Sequence, residues 1–559
     1  MMRGVISRRS FIHRAGLGAI VLAGAPRDVL AAPRKLELAR DARFSQGIAS
    51  GEPAAHAITL WTRLDGLERP ALVALEVAED TGFRKVVHRE RVVSAGNRDW
   101  TARSRVTGLK AGEQYHYRFM TADRTSKIGR FRTSYPAGSH EPVRIAFFSC
   151  QEFIAGYYHA HRDLAKRDVD LVVCLGDYIY EQAFAGTGTS IPAVRKDSSA
   201  ADGEVQTLAE YRRKYATYHA DAHLLEVRRN FPLVAIWDDH EVEDNYAGTL
   251  PGGATKHRRV PFLQRRRNGY RAFFEHMPRR YRTDFKTYGR MPLGNAELFL
   301  LDTRQFRGDQ PCSPKDAALS DPCPSNVTDD PSRPLLGGPQ KAWLKGALAA
   351  SKARWKIIAN QVMITSLDAP ARNPLNTDSW DCYGADRREI VSALPDDVVF
   401  VTGDIHTFFA GHVTPSGRRT VRDVNQPDPV DGPARAVEFV ASSITSPGVA
   451  DRAASSEADR LAAAAPLEAA LRATSPGIVH ANLAYKGYGL LEAGSDLKVR
   501  YQAVRDARLK SSDVFTLRRF RVEPGHAAII DEGGPAPAAA AAREGRIAAG
   551  LPLPGPGVR

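Results

Sequence analysis

Residues 170–181 read "DLVVCLGDYIYE". An apolar run from Leu171 to Leu175 is followed at once by three groups that carry or can acquire negative charge, namely Asp177, Tyr180 and Glu181. A continuous apolar run of this kind is typical of a strand that is buried on both faces. The stretch therefore predicts a buried strand of an α/β domain, with acidic groups gathered at its carboxyl end.

Further apolar strands recur along residues 141–522, alternating with helix-like segments such as "TLAEYRRKYATYHA" and "PQKAWLKGALAA". The strand candidates are "RIAFFSC", "FPLVAIWDD", "AELFLLDTR", "RWKIIANQVMIT", "DVVFVTGDIH" and "VEFVASSITS". This alternation predicts a layered α/β domain over 141–522, with helices covering both faces of the strands. Near its end, "GYGLLEAG" and "LKVRYQAVR" predict a hairpin that completes a second sheet.

Residues 41–136 have a different pattern, in which short apolar segments alternate with turns, as in "ALVALEVAED" and "EQYHYRFMTA". Regularly spaced short strands predict a small antiparallel β-sandwich domain. The run "LKAGEQYHYRF" resembles the entry to a fibronectin-type-III strand, with Tyr115 as the corner residue. At the other end of the chain, residues 532–559 are rich in Ala, Pro and Gly, which predicts a C-terminal tail.

The first 32 residues have the features of an export signal. Arg8 and Arg9 precede a mildly apolar stretch, residues 15–25, and then the small residues Ala31 and Ala32. A membrane-spanning helix needs about 20 apolar residues, so the stretch is too short to be an anchor. We expect a twin-arginine signal cleaved near Ala32, export of the folded protein by the twin-arginine machinery to the periplasm or the medium, and no integral membrane segment after signal removal.

Charge and cysteine content limit the partners and the redox chemistry. The net charge of +14 favours acidic partners, or else reflects a solvated arginine-rich surface. There is no long basic block or aromatic-basic motif, so we expect no stable nucleic-acid partner. With five cysteines, at least one is unpaired within the chain. Cys312 and Cys323 flank a polar loop and are candidates for a disulfide, a pairing that the sequence leaves open, whereas Cys174 is most simply a core residue.

The residues just past the predicted strands are potential metal ligands. They are Cys150 after the first strand, Asp177 and Tyr180 after the second, Asp238, Asp239 and His240 after the third, and Asp404 and His406 after a later one. A single Asp in this position is often only a helix N-cap. Because the carboxyl ends of the strands share one edge, however, these side chains should converge. Two carboxylates about 4 Å apart repel by roughly 4 kcal/mol at an effective dielectric constant of about 20, so convergence requires cations.

The donor types narrow the choice of metal. Carboxylate oxygens suit calcium, magnesium or manganese, whereas imidazole and thiolate suit a transition metal. A site that combines Cys150, Tyr180 and His406 with shared carboxylates is therefore expected to hold at least two unlike metals. The alternative for Cys150, a buried apolar thiol without a ligand role, remains open at this stage.

Three short motifs carry a family resemblance. "GDYIY", "DDHE" and "GDIH" match the patterns G-D-x-x-Y, G-N-H-E and G-H-x-H of the calcineurin-like metallophosphoesterase superfamily. Asp239 stands where the superfamily has Asn, Asp404 stands where it has the first His, and Cys150 in "FFSCQ" replaces the opening D-x-[GH] motif. These departures resemble those of the bacterial alkaline phosphatase D (PhoD) family. Segments such as "LDTRQFR" and "SSITSPG" extend the resemblance from about residue 43 to about residue 500.

The resemblance implies a four-layer α/β/β/α metallophosphoesterase domain that hydrolyses phosphate esters with one ferric ion (Fe3+) and calcium (Ca2+). Transferred residue by residue, the implied roles are a metal-bridging carboxylate at Asp177, iron ligands at Cys150, Tyr180 and His406, and calcium ligands at Asp239 and Asp404. Asn268 and Asp381 lie in family-like segments and are candidates for a further calcium site.

The expected reaction is in-line attack of a metal-bound hydroxide on phosphorus. His240 is expected either to contact the phosphate or protonate the leaving oxygen, or to brace Asp404 or Asp177 through a hydrogen bond. Arg304 either approaches the substrate or serves as a structural ion-pair partner. The nearest alternative function is a phosphodiesterase, including phospholipase-D-like activity, with the same ligands. A secreted binding or adhesion protein would have no need of four clusters of ligand-type residues at strand ends.

Overall fold

The structure is a computed structural model that describes residues 36–185, 191–199, 203–253, 255, 257–310, 328–367, 376–415, 433–453 and 456–534. The predicted export signal, the candidate disulfide between Cys312 and Cys323, and the predicted tail from residue 535 onward lie outside these residues. Within the described part of the chain, no helix combines the length and the apolar character needed to cross a membrane.

The N-terminal strands form two antiparallel sheets. Their bounds are β1 Ile48–Ala54, β2 Ala57–Arg63, β3 Ala71–Ala78, β4 Val86–Ser94, β5 Thr101–Thr107, β6 Gln114–Met120 and β7 Gly129–Arg132. One sheet has the order β1-β2-β5 and the other the order β4-β3-β6-β7. A single hydrophobic cluster contains Leu60 from the first sheet and Leu75 from the second. The hydroxyl of Tyr115, the predicted corner residue, accepts a hydrogen bond from Lys110 N at 3.0 Å.

Fourteen further strands, counted in the described residues, build two larger sheets. They are β8 Val143–Phe148, β9 Leu171–Cys174, β10 Leu233–Ala235, β11 Gly289–Pro292, β12 Ala296–Leu300, β13 Trp355–Asn360, β14 Val398–Thr402, β15 Phe408–Val413, β16 Ala436–Val440, β17 Ile478–Asn482, β18 Lys486–Ala493, β19 Leu497–Val504, β20 Val514–Val522 and β21 Ile530–Gly533. Each apolar segment singled out in the sequence of this region overlaps one of these strands.

The first large sheet has the order β10-β9-β8-β18-β19-β20-β21, and the second has the order β11-β12-β13-β14-β16-β15-β17. β10, β9 and β8 are parallel, as are β12, β13, β14 and β16, and the remaining pairings are antiparallel. The predicted hairpin is present as β18 and β19, and it joins one of the two large sheets through the pairing of β18 with β8.

The helices lie between these strands in the sequence. They are α1 His159–Leu164, α2 Leu208–His219, α3 Ala222–Asn230, α4 Phe262–His276, α5 Gly338–Ala350, α6 Gly384–Ser392, α7 Val449–Ala453 and α8 Glu457–Thr474. α2 begins with a capping box, in which Thr207 accepts from Glu210 N and the Glu210 carboxylate accepts from Thr207 N. This cap satisfies backbone N–H groups that the first turn of a helix leaves without partners.

The side chains of each large sheet alternate between two hydrophobic cores. In β8, Ile145 and Phe147 belong to a core that also contains Ile357 of β13, whereas Ala146 and Phe148 belong to a core with Phe273 of α4. Residues of β14 divide in the same way between the shared core and a third core that contains residues of α5 and α6. The expectation of helices on both faces of the strands was therefore wrong, because one face of each sheet packs against the other sheet.

The N-terminal sheets contact the first large sheet closely. Ser50 of β1 forms a parallel bridge with Pro232, immediately before β10. A Cβ atom on Gly51 would lie 2.2 Å from the carbonyl oxygen of Pro278 and 2.5 Å from that of Leu233, so only glycine allows this approach. The indole N–H of Trp61 donates to the carbonyl of Glu275 at 2.8 Å. These contacts attach the N-terminal sheets to the part of the fold that carries β10 and α4.

Candidate metal centre

Four of the predicted ligands have a left-handed backbone conformation. The φ angles are 57° at Cys150, 54° at Asp177, 67° at Asp404 and 56° at His406. Cys150, Asp177 and Asp404 follow β8, β9 and β14 within three residues. A left-handed conformation costs a residue other than glycine roughly 1–2 kcal/mol, and such strain tends to concentrate at functional sites. Here it turns the chain sharply at the end of each strand.

Glycines allow the neighbouring turns to approach each other. Gly176, which precedes Asp177, has a φ of 116°, and a Cβ atom there would lie 2.4 Å from Cβ of Asp238. Gly403, which precedes Asp404, lies against Ser149, whose Oγ would be 2.4 Å from an added Cβ atom. The Gly-Asp pairs in "LGD" and "TGD" thus have a steric explanation, since each glycine lets the next strand end come close.

The structure brings the predicted ligands together in overlapping groups. In the described residues, ligand atoms lie within 4.8 Å of one another in three sets: Cys150, Asp177 and His406; Asp177, Asp239 and His240; and Asp238, Asp239 and Asp404. Asp177 and Asp239 are shared between sets, so the three form one continuous cluster. We refer to Cys150, Tyr180 and His406 as the mixed-donor side, and to Asp238, Asp239 and Asp404 as the carboxylate side.

Hydrogen bonds orient the mixed-donor side. The Tyr180 hydroxyl lies 3.0 Å from Asp177 Oδ2 and 3.1 Å from His406 Nε2. His406 Nδ1 lies 2.8 Å from the carbonyl oxygen of Pro447. A carbonyl only accepts, so Nδ1 carries the proton and Nε2 presents a lone pair to the cluster. Burial, assisted by the charge of Lys486, lowers the pKa of His406 to about 3, which favours this neutral form.

The charged forms of the other donors are unfavourable without a cation. Burial raises the pKa of Asp177 well above its ordinary value; the His240 ring opposes this shift and Asp239 adds to it. Burial and the nearby Asp177 also raise the pKa of the Cys150 thiol and of the Tyr180 hydroxyl. Asp177 Oδ1 is buried and has no hydrogen-bond partner among the described residues. A buried carboxylate oxygen without a partner, next to a thiol, a phenol and an imidazole, fits a metal ion.

The carboxylate side contains its own cation. The Nε atom of Arg304 donates to Asp238, and its Nη2 atom lies 3.3 Å from Asp239 Oδ1 and 4.0 Å from Asp404 Oδ1. Burial would raise the pKa of Asp239, but Arg304 and His240 lower it to about 2. Asp239 Oδ1 accepts no hydrogen bond from any described residue. The oxygens on this side suit a hard cation such as calcium.

Arg304 is fully buried and lies among these carboxylates. In addition to Asp238 it binds Asp378, with Nη1 2.9 Å from Asp378 Oδ1 and Nη2 hydrogen-bonded to Oδ2. This arrangement fits the second role considered for Arg304, that of a structural ion-pair partner. Each nitrogen of its guanidinium contacts a carboxylate.

The His240 imidazole is held by a hydrogen bond at Nδ1, and its Nε2 atom faces the ligand cluster. Its Nδ1 atom is 2.8 Å from Glu181 Oε2, and its Nε2 atom is 3.9 Å from Asp239 Oδ2. No hydrogen bond joins His240 to Asp404 or Asp177 within the described part of the chain, so the proposed bracing of these ligands is not seen. The alternative, a role toward the substrate, is compatible with an Nε2 atom that faces the cluster.

Asn268 and Asp381 have other contacts. The Asn268 amide donates to the carbonyl of Gln206 at 3.0 Å and its oxygen accepts from Gln264 at 2.8 Å. The Asp381 carboxylate accepts from Ser366 Oγ at 2.6 Å and from Leu367 N at 3.0 Å. Asp381 belongs to none of the three ligand groups found in the described residues.

Sequence reasoning missed the residues that support the ligands. The buried Glu241 carboxylate accepts from three backbone N–H groups, those of Asp177 at 3.1 Å, Tyr178 at 2.6 Å and Asp238 at 2.7 Å. It therefore joins the turn after β9 to the turn after β10. Asn376 donates to Asp404 Oδ2 at 3.2 Å. Glu241 is the last residue of the "DDHE" motif, so its position in the motif was the available signal.

Comparisons with known proteins give matches along most of the chain. A family model described as "PhoD-like phosphatase" matches residues 145–501, and one described as "PhoD-like phosphatase, N-terminal domain" matches residues 31–135. Alkaline phosphatase D of Bacillus subtilis (strain 168) is 35% identical over 427 residues, which cover 72% of this chain and 70% of that relative. A solved structure described as "Structure of PhoD" is 30% identical, with a TM-score of 0.77 over 88% of this chain and 92% of that one.

Proposed function

This chain belongs to the PhoD-like phosphatase family and is a hydrolase of phosphoric esters, and we propose that it is an exported, metal-dependent phosphatase that acts on phosphate monoesters. One observation supports the metal dependence: potential ligands from the ends of four strands lie within 4.8 Å of one another in overlapping sets. Several of these ligands are buried carboxylates, whose mutual repulsion requires cations.

We propose that the mixed-donor side holds Fe3+, that Asp239 and Asp404 hold Ca2+, and that Asp177 is shared by both. The donor chemistry supports this division, because thiolate, phenolate and imidazole suit a transition metal whereas carboxylates suit calcium. The buried Oδ1 atoms of Asp177 and Asp239, which lack hydrogen bonds from the described residues, support it further. A further calcium at Asn268 and Asp381 stays a prediction.

Bound cations would supply a lowered pKa for a coordinated water and would neutralise charge on the phosphoryl oxygens. The residues of the chain supply orientation. Glu241 fixes the two turns that carry Asp177 and Asp238, and the Pro447 carbonyl directs His406 Nε2 toward the cluster. Arg304 is proposed to hold the carboxylate side in place rather than to contact the substrate, since its nitrogens all bind carboxylates.

The finer features of the fold are also proposals. The three hydrophobic cores support a four-layer α/β/β/α order over residues 141–522, with the shared core between the two large sheets. The hydrogen bond from Lys110 N to Tyr115 supports a fibronectin-III-like sandwich over residues 41–136, because a tyrosine corner makes such a bond to backbone upstream. Export rests on the sequence of residues 1–32, with Arg8 and Arg9 as the recognised pair.

Metal analysis combined with an assay tests the function. We expect the purified protein to contain iron and calcium, to hydrolyse p-nitrophenyl phosphate, and to lose that activity on calcium chelation and regain it when calcium is restored. Comparing this monoester with bis-p-nitrophenyl phosphate distinguishes the phosphodiesterase alternative, which requires the diester to be the better substrate. A metal-free protein whose activity is indifferent to chelators would refute metal dependence, and absence of hydrolysis together with absence of both metals would favour a binding protein.

A further inference from the structure

An aromatic side chain lies beside the proposed metal centre without being one of its ligands. The Phe184 ring meets the His240 imidazole edge-on, with ring centroids 5.0 Å apart, and it meets the Tyr180 ring at 5.8 Å. Phe184 is only partly buried, whereas Tyr180 and His240 are both buried. A phenyl ring has no donor atom with which to hold a cation, so the position of this ring needs another explanation.

Packing in a hydrophobic core does not explain the position of Phe184. The next residue, Ala185, belongs to a small hydrophobic cluster with Ile154 and Ile191, and the preceding residue, Ala183, packs against that cluster. Phe184 belongs to none of the hydrophobic clusters found among the described residues. The chain therefore places two small side chains in a core, and it places the large aromatic one between them against residues of the centre.

A buried carboxylate fixes the backbone at Phe184. Glu152 Oε1 accepts hydrogen bonds from Phe184 N at 2.7 Å and from Ala185 N at 3.0 Å. The backbone N–H of Glu152 donates to Ser446 Oγ at 3.1 Å, and this hydroxyl donates to the carbonyl of Cys150 at 2.8 Å. Phe184 is thus connected through hydrogen bonds to the turn that carries Cys150, so its ring has a defined position relative to the centre.

The location of the ring suggests what it contacts in a complex with substrate. His240 Nε2 faces the ligand cluster, and the imidazole is small, so the Phe184 ring also lies close to the space beside the cluster. Cations at the cluster would bind the phosphoryl oxygens, so the organic group of the ester extends away from the ligand atoms. We infer that Phe184 is a specificity-determining residue, whose ring contacts this organic group and favours esters of aromatic and other large apolar alcohols. This inference rests on the proposed phosphatase function and names its substrate class.

The test compares phenylphosphonate with methylphosphonate, which share a phosphonate group that the enzyme cannot hydrolyse and differ only in the organic group. Calorimetry on the intact, metal-loaded protein gives both dissociation constants. An aromatic contact changes affinity by a factor of about 2–12, so we expect phenylphosphonate to bind the unmutated protein about three- to tenfold more tightly. Phe184→Ala should remove most of this preference, and Phe184→Leu, which keeps apolar area without a ring, should keep part of it.

A matched control and an anchor variant separate specificity from general damage. Phe153 is also partly buried, but it packs against Tyr158 and Tyr218, so Phe153→Ala should leave the ratio of the two dissociation constants unchanged. Glu152→Ala removes the acceptor that fixes Phe184 N and should lower the ratio, whereas Glu152→Gln keeps an oxygen acceptor and should preserve it. In a Phe184→Ala background, Glu152→Ala should not change the ratio further.

The outcomes distinguish the role of Phe184 from the proposed function. Equal affinity of the unmutated protein for both phosphonates, or an unchanged ratio in Phe184→Ala, would overturn the role of Phe184. So would failure of phenylphosphonate to bind a protein that hydrolyses p-nitrophenyl phosphate. Failure of the unmutated protein to hydrolyse that ester would instead count against the proposed function.

Discussion

The two sides of the centre compensate their charge differently. On the carboxylate side, Arg304 lies within 4.0 Å of oxygens from Asp238, Asp239 and Asp404. On the mixed-donor side, no Lys or Arg of the described residues forms an ion pair with Asp177, and the contacts of Tyr180 and His406 are hydrogen bonds to neighbouring donors and acceptors. The fold thus supplies one internal cation to the carboxylate side and leaves the mixed-donor side to a bound metal.

The pKa values set Asp239 apart. Next to Arg304, Asp239 has its pKa lowered to about 2 in spite of burial. Burial raises the pKa of Asp238, on the same side, to about 6 and that of Asp404 well above its ordinary value, and it likewise raises the pKa values of Asp177, Cys150 and Tyr180. Without metal, the mixed-donor side is therefore most stable with its donors protonated. We conclude that metal loading on this side is coupled to proton release, and that Asp239 on the carboxylate side is charged in advance.

The largest effect is expected at the residue that both sides share. Asp177 belongs to the ligand group of Cys150 and His406 and also to that of Asp239 and His240. Asp177→Asn removes this shared carboxylate, and we expect hydrolysis to fall by at least about 10³-fold while the protein stays folded. Asp386→Asn is the control, because Asp386 is also buried and accepts from Leu335 N and Leu336 N but lies outside the ligand groups. An Asp177→Asn protein with near-normal turnover would refute the assignment of this ligand.

A pair of substitutions should separate the two sides. Cys150→Ser replaces the thiol on the mixed-donor side, and Asp404→Asn removes charge on the carboxylate side. We expect the first protein to lose iron and keep calcium, and the second to lose calcium and keep iron, with activity lowered in both by about 10²-fold. Element analysis after dialysis measures this. Parallel loss of both metals from each variant would mean that the two sides do not bind separately.

A stability effect is expected when the internal cation is removed. Arg304→Met leaves Asp238 and Asp239 buried without this guanidinium, while Asp378 keeps its ion pair with Arg307. Breaking a buried ion pair on one side costs about 3–5 kcal/mol. Because calcium would replace the lost charge, we expect calcium to recover part of this free energy of unfolding in urea titrations. The unmutated protein, which retains Arg304, should gain less from calcium. An equal gain in both proteins would contradict the role of Arg304 in neutralising the carboxylate side.

Much of the fold was predictable because buried strands have a clear signature. "LVVC" in β9 and "VVFVT" in β14 are apolar on both faces, and the structure buries every residue of both strands. The sheet assignments were not predictable to the same degree. The hairpin of β18 and β19 joins β8 through non-local pairing between residues more than 300 positions apart, and no local pattern specifies which sheet receives it.

The ligand positions were predictable for a related reason. A polar residue directly after a buried strand lies at the sheet edge, so Asp177, Asp239 and Asp404 could be proposed from their positions alone. The contacts of Glu181 and Glu241 could not, because each of these carboxylates accepts a hydrogen bond from a partner about 60 residues away along the chain. The supporting contacts of a site depend on how its turns meet in three dimensions, which a single sequence does not encode locally.

The smallest effect is expected at Gly176, which lets the turn after β9 approach the turn after β10. Gly176 and Gly138 both have positive φ angles, of 116° and 79°, but an added Cβ atom would lie 2.4 Å from Asp238 Cβ at Gly176 and would meet nothing within 4 Å at Gly138. Alanine at either position costs about 1–2 kcal/mol of backbone strain, and overpacking at Gly176 adds about 1–3 kcal/mol. We expect urea titrations to give Gly176→Ala the larger loss.

Activity should distinguish these two glycines more sharply than stability does. The added methyl group in Gly176→Ala pushes the turn of Asp177 away from the turn of Asp238, so the carboxylate side separates from the shared ligand, and kcat should fall by about tenfold or more. Gly138→Ala has the same backbone strain without this displacement, and its kcat should match that of the unmutated protein. Equal losses of stability and full activity in both variants would contradict our inference that the close contact between the turns after β9 and β10 sets the geometry of the centre.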